Sequence, residues 1–311
     1  MNKKIYSEKV LSNLQKHFER ESSKYITYPK FLFLCGKGYS GIEQYIETNR
    51  GILEEYIKKT CPDAFIVLSE QLWEDEFGTS IDLLTFEEFL AEVSDAIFLF
   101  VESPGTYCEL GAFAYADVLF SNKLIIVMDE KYRNGKSFLA DGPVSKAKKD
   151  GSSVVYAQLN DGALLSSNEL RNVTLKLISK LQSKSAALNK RRQNKDANQI
   201  QINSFIIEIL ELIKIMQPIT MQDLLQLYKA VKGFESFIFT KSDGTSYHSE
   251  IKVNYIFKLL ECVNILKREG SHLRLVNYKK PQNLMLKYSG HAELIERNRV
   301  LCLKYRWGDK V

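Results

Sequence analysis

Two glutamates near the middle of the sequence, Glu102 and Glu109, are the residues best placed to do chemistry. Both follow an apolar run at residues 95–101, which predicts a buried strand. Open α/β sheets bind ligands at the carboxyl ends of their strands, so we expect both side chains at that edge. A helix is predicted to begin at about Thr106, with Glu109 in its first turn, where the helix dipole favours an ionised carboxylate. A carboxylate can act as a nucleophile at an anomeric carbon, so Glu109 is the predicted catalytic residue.

Glu109 also has a purely structural interpretation. The spacing Thr106-x-x-Glu109 is that of a capping box, in which the glutamate accepts a hydrogen bond from the backbone N–H of the threonine. The sequence leaves both interpretations open. Glu102 lies at the same predicted strand end and could donate a proton or contact a ribose. Asp95 begins the strand, far from that end, and is predicted to be structural.

A second candidate ligand site is the glycine-rich segment Gly-Lys-Gly-Tyr-Ser-Gly at residues 36–41. It lies between a predicted strand at 31–35 and a predicted helix at 42–59, as the dinucleotide-binding fingerprint requires; the alternative is a glycine-rich turn without a ligand. Arg50, in that helix, is either a phosphate ligand or a solvated surface arginine. Glu70 follows the next apolar run, where such folds use an acid to bind ribose hydroxyls. Its separation from the last of these glycines exceeds the usual spacing of about 20 residues.

Several classes of function lack the motifs they need. The sequence contains no P-loop, zinc-protease or nucleophile-elbow motif, and its four histidines lie outside the predicted sheet. The five cysteines are scattered without a C-x-x-C pair, which argues against a disulfide framework or a zinc site and for a reducing compartment. No run reaches the roughly 18 apolar residues of a membrane span. We therefore expect a cytoplasmic protein with no metal and no resident cofactor.

Short apolar runs that alternate with amphipathic segments predict an α/β fold. A Rossmann-like parallel-sheet domain is expected at residues 30–184, and a mostly helical, winged helix-turn-helix-like domain at 200–311. Residues 1–29 are a predicted helical preface, and the polar, basic residues 185–199 a linker. The predicted strands are 31–35, 64–68, 95–101, 123–128 and 154–156, and the predicted helices are 5–21, 42–59, 85–93 (with a capping box at 85–88), about 106–120 and about 166–184.

The second half of the chain differs from the first in charge. Residues 1–184 contain 22 Lys+Arg and 26 Asp+Glu, whereas residues 185–311 contain 21 and 12, so the net charges are about −4 and +9. A basic half indicates an anionic partner such as nucleic acid, and the alternative is a solvated charged surface. Its predicted elements, in winged-helix order, are helices at 200–216, 221–231 and 249–268, then strands at 273–276 and 284–288 around a turn at 281–283.

The string Glu-Ser-Pro-Gly-Thr-Tyr-Cys-Glu-Leu-Gly-Ala-Phe at residues 102–113 resembles the nucleoside 2-deoxyribosyltransferase-like effectors of bacterial retrons, the St85 effector family. The likeness extends to the apolar runs at 31–36 and 95–100 and to Asp-Gly-Pro-Val at 141–144. It covers about residues 30–150. The helical, basic C-terminal half fits the family's DNA-binding winged-helix part more loosely.

This resemblance implies a glycosidase whose nucleophile is the glutamate of Glu-Leu-Gly, here Glu109. It also implies a role in antiphage defence, with a retron reverse transcriptase and its RNA–DNA hybrid as partners that hold a toxic effector in check. Classical deoxyribosyltransferases have an aspartate six residues before the catalytic glutamate, where this sequence has Ser103, so hydrolysis is favoured over transfer to a base. The predicted substrate-binding residues are Cys35, Gly36, Gly38, Arg50, Glu70, Glu102, Ser103 and Gly105.

The sequence therefore predicts an N-glycosidase toxin that hydrolyses the N-glycosidic bond of a nucleotide or of NAD, which is substrate and not cofactor. The alternative is a nucleotide-sensing, DNA-binding regulator without catalysis. An NAD-dependent oxidoreductase ranks last, because no proton-relay histidine or Tyr-x-x-x-Lys pair lies in a suitable place. Whether the chain forms a homo-oligomer is left open.

Overall fold

The computed structural model describes residues 6–19, 26–27, 29–73, 81–115, 122–159, 162–183, 199–241, 244–247, 250–276, 285–286 and 291–308. The chain divides into two compact units: a sheet unit, Lys30–Lys184, and a helical unit, Met1–Pro29 with Ser185–Val311. The 1–29 segment, with helix α1 (Glu8–Glu19) and strand β1 (Ile26–Thr27), is therefore grouped with the C-terminal residues and does not stand alone. Of the predicted linker, only Gln199 lies among the described residues.

The sheet unit contains five parallel strands: β2 (Lys30–Cys35), β3 (Ala64–Val67), β4 (Ala96–Phe100), β5 (Leu124–Asp129) and β6 (Ser153–Ala157). Strands β4 and β5 are buried along their whole length, and the two edge strands β3 and β6 are partly buried. The strand order is β3-β2-β4-β5-β6, so the order reverses between β2 and β4. In doubly wound sheets, ligands bind outside the carboxyl ends of the strands at such a reversal. The parallel sheet expected from continuous apolar runs is confirmed, with no strand end shifted by more than one residue.

The helices of the sheet unit are α2 (Gly41–Glu47), α3 (Asn49–Thr60), α4 (Ser69–Trp73), α5 (Leu83–Val93), α6 (Pro104–Tyr115), α7 (Ser145–Lys149) and α8 (Asn168–Ser183). Short helical turns lie at Glu130–Tyr132, Ala140–Val144 and Leu164–Ser166. One core cluster joins Leu32 and Phe98 of the sheet to Leu53 of α3 and Leu170 of α8. This packing fixes the positions of the turns that follow each strand.

The helix predicted at 42–59 is broken at Thr48. Its extended backbone (φ −69°, ψ 157°) ends α2, and its side chain accepts a hydrogen bond from the N–H of Gly51 and so caps α3. The break places Arg50 in the first turn of a new helix. A Cβ on Gly51 would overlap the carbonyl oxygen of Tyr45, so the close approach of the two helices requires a glycine there.

Helix α5 begins before the predicted capping box. Asp82 caps the helix by accepting hydrogen bonds from Thr85 N (2.9 Å) and Thr85 Oγ1 (2.7 Å). The capping box expected at residues 85–88 is therefore wrong, because an acid three residues earlier already caps the helix. As a result, Glu87 lies inside the helix and points into the core, where it is only 3% exposed.

The described elements of the helical unit continue, in chain order, with β7 (Gln199–Gln201), α9 (Ile202–Met216), β8 (Ile219–Thr220), α10 (Met221–Lys232), β9 (Ile238–Thr240), α11 (Val253–Cys262), β10 (Leu266–Glu269), β11 (His272–Leu275), β12 (Met285–Leu286) and α12 (His291–Trp307). Strands β10, β11 and β8 form one antiparallel sheet, β7 pairs with β9, and β1 pairs with β12. Helices α9 and α10 agree closely with prediction, with Thr220 capping α10.

The predicted third helix of this unit forms but is shorter, and the strands predicted at 273–276 and 284–288 form but do not pair with each other. The helix ends at Cys262 and not at Arg268, because Asn264 adopts a left-handed conformation (φ 58°) that terminates it. The hairpin forms from β10 and β11 around Gly270 (φ +60°). Helix α12 was not predicted, and the expected turn at 281–283 lies outside the described residues.

Gly51→Ala is expected to destabilise the sheet unit by about 1–3 kcal/mol, because the added methyl group overlaps backbone atoms of α2. Gly111→Ala in α6 is the matched control: its Cβ would meet no atom within 4 Å, so alanine should stabilise the helix by about 0.5–1 kcal/mol. Urea unfolding followed by circular dichroism measures both. Equal stability of the two variants would contradict the packing described for Gly51.

Candidate active site

The carboxyl ends of three strands meet at the reversal point of the sheet. Cys35 ends β2, Glu70 follows β3 in the short helix α4, and Glu102 follows β4. Glu109 extends from α6, the helix that follows β4. The structure thus brings together the acids that the sequence singled out, and Asp95 lies at the opposite end of β4 with its side chain accepting from Phe31 N (3.1 Å).

The N-terminus of α6 is capped without Glu109. Ser103 precedes Pro104, the first helical residue, and its Oγ accepts a hydrogen bond from Thr106 N (3.4 Å). Thr106 Oγ1 in turn accepts from the N–H groups of Glu102 (3.0 Å) and Ser103 (2.9 Å). The helix therefore starts two residues earlier than predicted, and Glu109 lies in its second turn. The capping-box interpretation of Glu109 is wrong, because Ser103 already occupies the Thr106 amide.

The carboxyl group of Glu109 is buried on one side and has an uncommitted oxygen. Within the part of the chain that the structure describes, no group forms a hydrogen bond with the buried Oε2. The pKa of Glu109 is raised to about 7, chiefly by burial and also by the nearby charge of Glu70, while Arg50 acts in the opposite direction. The expectation that a helix terminus keeps this carboxylate ionised is therefore not met, because loss of hydration outweighs the dipole. Glu109 exchanges its proton near neutral pH.

Arg50 is a buried cation, only 1% exposed, and not a surface arginine. Its Nη1 lies 2.7 Å from Glu70 Oε1, and its Nη2 donates to the carbonyl oxygen of Lys37 (2.6 Å). The guanidinium carbon lies 5.4 Å from the ring centroid of Tyr39. Both terminal nitrogens are thus occupied by protein, so Arg50 positions Glu70 and the glycine-rich loop; its Nε has no hydrogen-bond partner among the described residues.

Glu102 fastens the same loop from the other side. Its Oε1 accepts from Lys37 N (2.9 Å) and its Oε2 from Asn49 Nδ2 (2.5 Å). Because N–H donors occupy both oxygens, Glu102 fits an anchoring role better than the predicted role of proton donor. A Cβ on Gly36 would lie 3.0 Å from Arg50 side-chain carbons and from Glu102 Oε1, so packing requires this glycine.

The remaining predicted ligand residues are less constrained. A Cβ on Gly38 would meet no atom within 4 Å, and one on Gly105 would meet only Ser103 Oγ at 3.9 Å, so packing does not require either glycine. Cys35 is buried, and burial, followed by the charges of Glu109 and Glu87, raises its thiol pKa well above the usual value. Cys35 therefore presents a neutral thiol.

Glu87 is a site residue that the sequence reasoning missed. The pKa of Glu87 is raised to about 8, chiefly by burial and also by the charges of Glu109 and Glu70. A signal was present in the sequence: Glu87 lies three and four residues before Leu90 and Ala91, so a helix places it on an apolar face. Interpreting 85–88 as a capping box hid that signal.

The balance between the acids of the site and the single cation Arg50 determines which carboxyl groups are ionised. The charges of Glu109 and Glu70 raise the pKa of Glu87, the charge of Glu70 also raises the pKa of Glu109, and Arg50 is the cation that opposes this rise at Glu109. Like charges in one buried site cannot all ionise, so near neutral pH at least one of these carboxyls keeps its proton. A buried carboxylic acid beside a carboxylate is the arrangement that supplies a proton donor and a nucleophile together.

The described residues contain no group of three or more His, Cys, Asp or Glu side chains that could hold a metal ion. No helix among them is long and apolar enough to cross a membrane.

Comparison with known proteins adds sequence evidence. Residues 47–268 match the family described as STM3845 retron effector protein. The Escherichia coli "Retron Ec86 putative ribosyltransferase/DNA-binding protein" is 34% identical over 179 residues, which is 56% of this chain and 53% of that protein. The Escherichia coli Ec73 protein with the same description is 36% identical over 119 residues, 37% of each chain. The chain spans about half the length of the first relative and less of the second.

Replacing Glu87 with glutamine should stabilise the sheet unit at pH 8 and not at pH 5. The pKa of Glu87, about 8, lies above that of an exposed glutamate, so the folded protein keeps a proton that the unfolded chain loses above about pH 4.5. Stability of the natural protein therefore falls as pH rises through this window, and the amide removes that loss. The difference between the two pH values is on the order of 2–4 kcal/mol.

Denaturant unfolding at both pH values measures this difference. Glu47→Gln, an exposed acid on α2, is the matched control and should show no such pH-dependent gain. A gain for Glu87→Gln that is equal at pH 5 and pH 8 would show that this carboxyl does not hold a proton in the folded protein.

Proposed function

Because the chain belongs to the STM3845 retron effector family, we propose that it is a toxic effector enzyme that hydrolyses the N-glycosidic bond of a nucleotide or of NAD, with Glu109 as nucleophile. The observation that carries this proposal is the buried, uncommitted Oε2 of Glu109 at the reversal point of a parallel sheet. Among the described residues no donor holds this oxygen in a structural role, and the strand ends at such a reversal are where parallel sheets bind ligands.

The proposed reaction is a double displacement. The ionised Glu109 carboxylate attacks the anomeric carbon while the bond from that carbon to the base nitrogen breaks, which leaves a glycosyl ester on the protein. Glu87, protonated near neutral pH, is the proposed source of the proton that a departing purine or pyrimidine takes up, whereas nicotinamide leaves NAD as a neutral molecule and needs no proton. A water molecule then hydrolyses the ester, gives its proton back to a carboxylate, and releases the sugar.

The surrounding residues support a sugar-binding role for this edge of the sheet. Glu70 is held by Arg50 and remains one-third exposed, so its carboxylate can accept hydrogen bonds from ribose hydroxyls. Gly38 and Gly105 leave space that a ligand could occupy. Ser103, in place of the aspartate of classical deoxyribosyltransferases, caps α6, which supports hydrolysis over transfer to an acceptor base.

The relatives' names support the general chemistry, since both contain the term ribosyltransferase. The same names contain the term DNA-binding. The order of α9, β8, α10, α11 and the β10–β11 hairpin, with β8 pairing to β11, supports a winged-helix-like arrangement, although β9 lies between α10 and α11. We propose that this unit contacts nucleic acid, in the cytoplasm, with the retron reverse transcriptase and its RNA–DNA hybrid as the partners that restrain the toxin.

A nucleotide-sensing, DNA-binding regulator without catalysis is the second candidate. It is favoured by the winged-helix order and by the net charge of about +9 in residues 185–311. The two candidates differ in turnover, because a sensor binds a nucleotide without breaking it. Both candidate functions assign nucleotide binding to the sheet unit and nucleic-acid binding to the helical unit.

Glu109→Gln should lower the rate of base release from nucleotides at least about 10³-fold, because an amide cannot form the glycosyl ester. The measurement is chromatography of NAD and a mixed nucleotide pool after incubation with each protein. Glu47→Gln again serves as the exposed control and should retain full activity. Base release by Glu109→Gln at the natural rate would exclude Glu109 as the nucleophile, and absence of release by the natural protein would favour the regulator.

A further inference from the structure

The hairpin of the helical unit is poorly suited to bind phosphates, because each of its three cations, Lys267, Arg268 and Arg274, lies beside an acid of the same unit. Arg268 Nη2 lies 2.7 Å from Glu261 Oε1. Lys267 Nζ and Arg274 Nε lie 2.6 Å and 2.8 Å from the two carboxylate oxygens of Glu269. A phosphate would have to displace these carboxylates, so the hairpin offers little uncompensated positive charge.

Helix α11, which precedes the hairpin, also offers few contacts. Half of its ten residues are buried, among them Tyr255, Phe257 and Leu260. Glu261, near its C-terminal end, faces Arg268 of the hairpin. The elements that a winged helix would normally present to DNA are therefore largely neutral or buried here.

Helix α12 carries a different surface. Arg297, Val300, Lys304 and Trp307 recur at the spacing i, i+3, i+7 and i+10, which places them on one face of the helix. All four are exposed, Val300 by 48% and Trp307 by 46%. Neither Arg297 nor Lys304 forms an ion pair within the described ranges, in contrast to the hairpin cations. We name these four residues the α12 stripe.

The opposite face of α12 holds the stripe in place. Ile295 and Cys302 are buried. Arg299 Nη1 donates to Lys214 O (3.1 Å), and Arg306 Nη1 donates to Met216 O and Pro218 O, both at 2.8 Å. These bonds fasten α12 to the end of α9 and the turn that follows it.

The Arg306 guanidinium carbon also lies 4.9 Å from the Trp307 ring centroid. Hydrogen bonds to carbonyl oxygens hold the Arg306 guanidinium, and the exposed indole ring of Trp307 packs against it. An exposed aromatic ring that is held in one orientation loses little conformational freedom when a flat ligand stacks on it.

We propose that the α12 stripe binds single-stranded nucleic acid, with Trp307 stacking on an unpaired base and Arg297 and Lys304 contacting phosphates. This inference rests on the proposed nucleic-acid partner and adds the surface and the strandedness. Every base has a stacking face, but only an unpaired base exposes it, so an aromatic ring beside free cations favours a single strand over a duplex. The positive charge of the whole C-terminal half complements such a ligand.

The test uses the full chain and a labelled single-stranded oligonucleotide, with the matching duplex as second ligand, in fluorescence anisotropy over a range of salt concentrations. Trp307→Ala should weaken single-strand binding about 5- to 100-fold. The double variant Arg297→Ala/Lys304→Ala should lower the slope of log affinity against log salt by about 1.4. The matched control, Lys267→Ala/Arg274→Ala, removes two charges from the hairpin and should leave affinity within about 2-fold, because those cations are already paired.

Two further variants keep the proposal testable if Trp307→Ala fails to fold. Trp307→Phe retains a stacking ring and should keep most of the affinity. The chain has two tryptophans, so Trp73→Phe leaves Trp307 as the fluorescent reporter, and saturable quenching by the single strand is expected.

Every result of these measurements either supports the assignment of the α12 stripe or overturns it. Unchanged affinity in the stripe variants, a larger loss in the hairpin variant, or tighter binding to the duplex than to the single strand overturns the assignment of the surface. If the natural protein binds neither ligand, the nucleic-acid part of the proposed function fails as well. Base release from nucleotides is measured separately and does not depend on either result.

Discussion

The ion pair between Arg50 and Glu70 determines the local structure of the sheet unit's ligand edge. A guanidinium with 1% exposure must be compensated, and here Glu70 and the carbonyl oxygen of Lys37 provide that compensation. The break at Thr48 brings Arg50 to the start of α3, and Gly36 leaves space for its side chain. The glycine-rich loop therefore serves first to accommodate a buried arginine, and any dinucleotide-like phosphate contact comes second.

The same pair modifies the pKa of the acids around it, although burial has the larger effect. Arg50 lowers the pKa of Glu109, but its charge is shared with Glu70, and burial of Glu109 and Glu87 is the larger effect. Near neutral pH the site therefore holds a protonated carboxylic acid, Glu87, and a carboxyl group that titrates, Glu109, and both are largely shielded from water. Displacing Glu70 towards a sugar hydroxyl would leave more of the positive charge of Arg50 to act on Glu109. Binding of substrate and ionisation of the nucleophile are thus coupled in the proposed mechanism.

A feature of the fold or of the site could be predicted only where its sequence pattern specifies one structure. Continuous apolar runs such as 31–35 specify a buried parallel strand, and the sheet was predicted correctly. The Thr220 cap of α10 was also predicted correctly. The caps of α5 and α6 were not, because Asp82 and Thr85, or Ser103 and Thr106, are equally good caps in sequence, and tertiary packing chooses between them. Arg50 illustrates the same limit: a helical pattern cannot show that an arginine is buried. The expectation of a retron effector, drawn from residues 102–113, is confirmed at that level by the STM3845 family match. The deoxyribosyltransferase-like chemistry and the roles of the site residues stay predictions.

The most direct test of the central claim is to trap the covalent intermediate. A 2-fluoro-substituted analogue of whichever nucleotide loses its base should form a glycosyl ester that hydrolyses slowly, because the fluorine disfavours the oxocarbenium-like transition state. Peptide mass spectrometry after rapid quenching then locates the adduct. The proposed mechanism predicts a glycosyl group on Glu109 and none in the Glu109→Gln protein. An adduct on another residue, or base release without any adduct on Glu109, would contradict it.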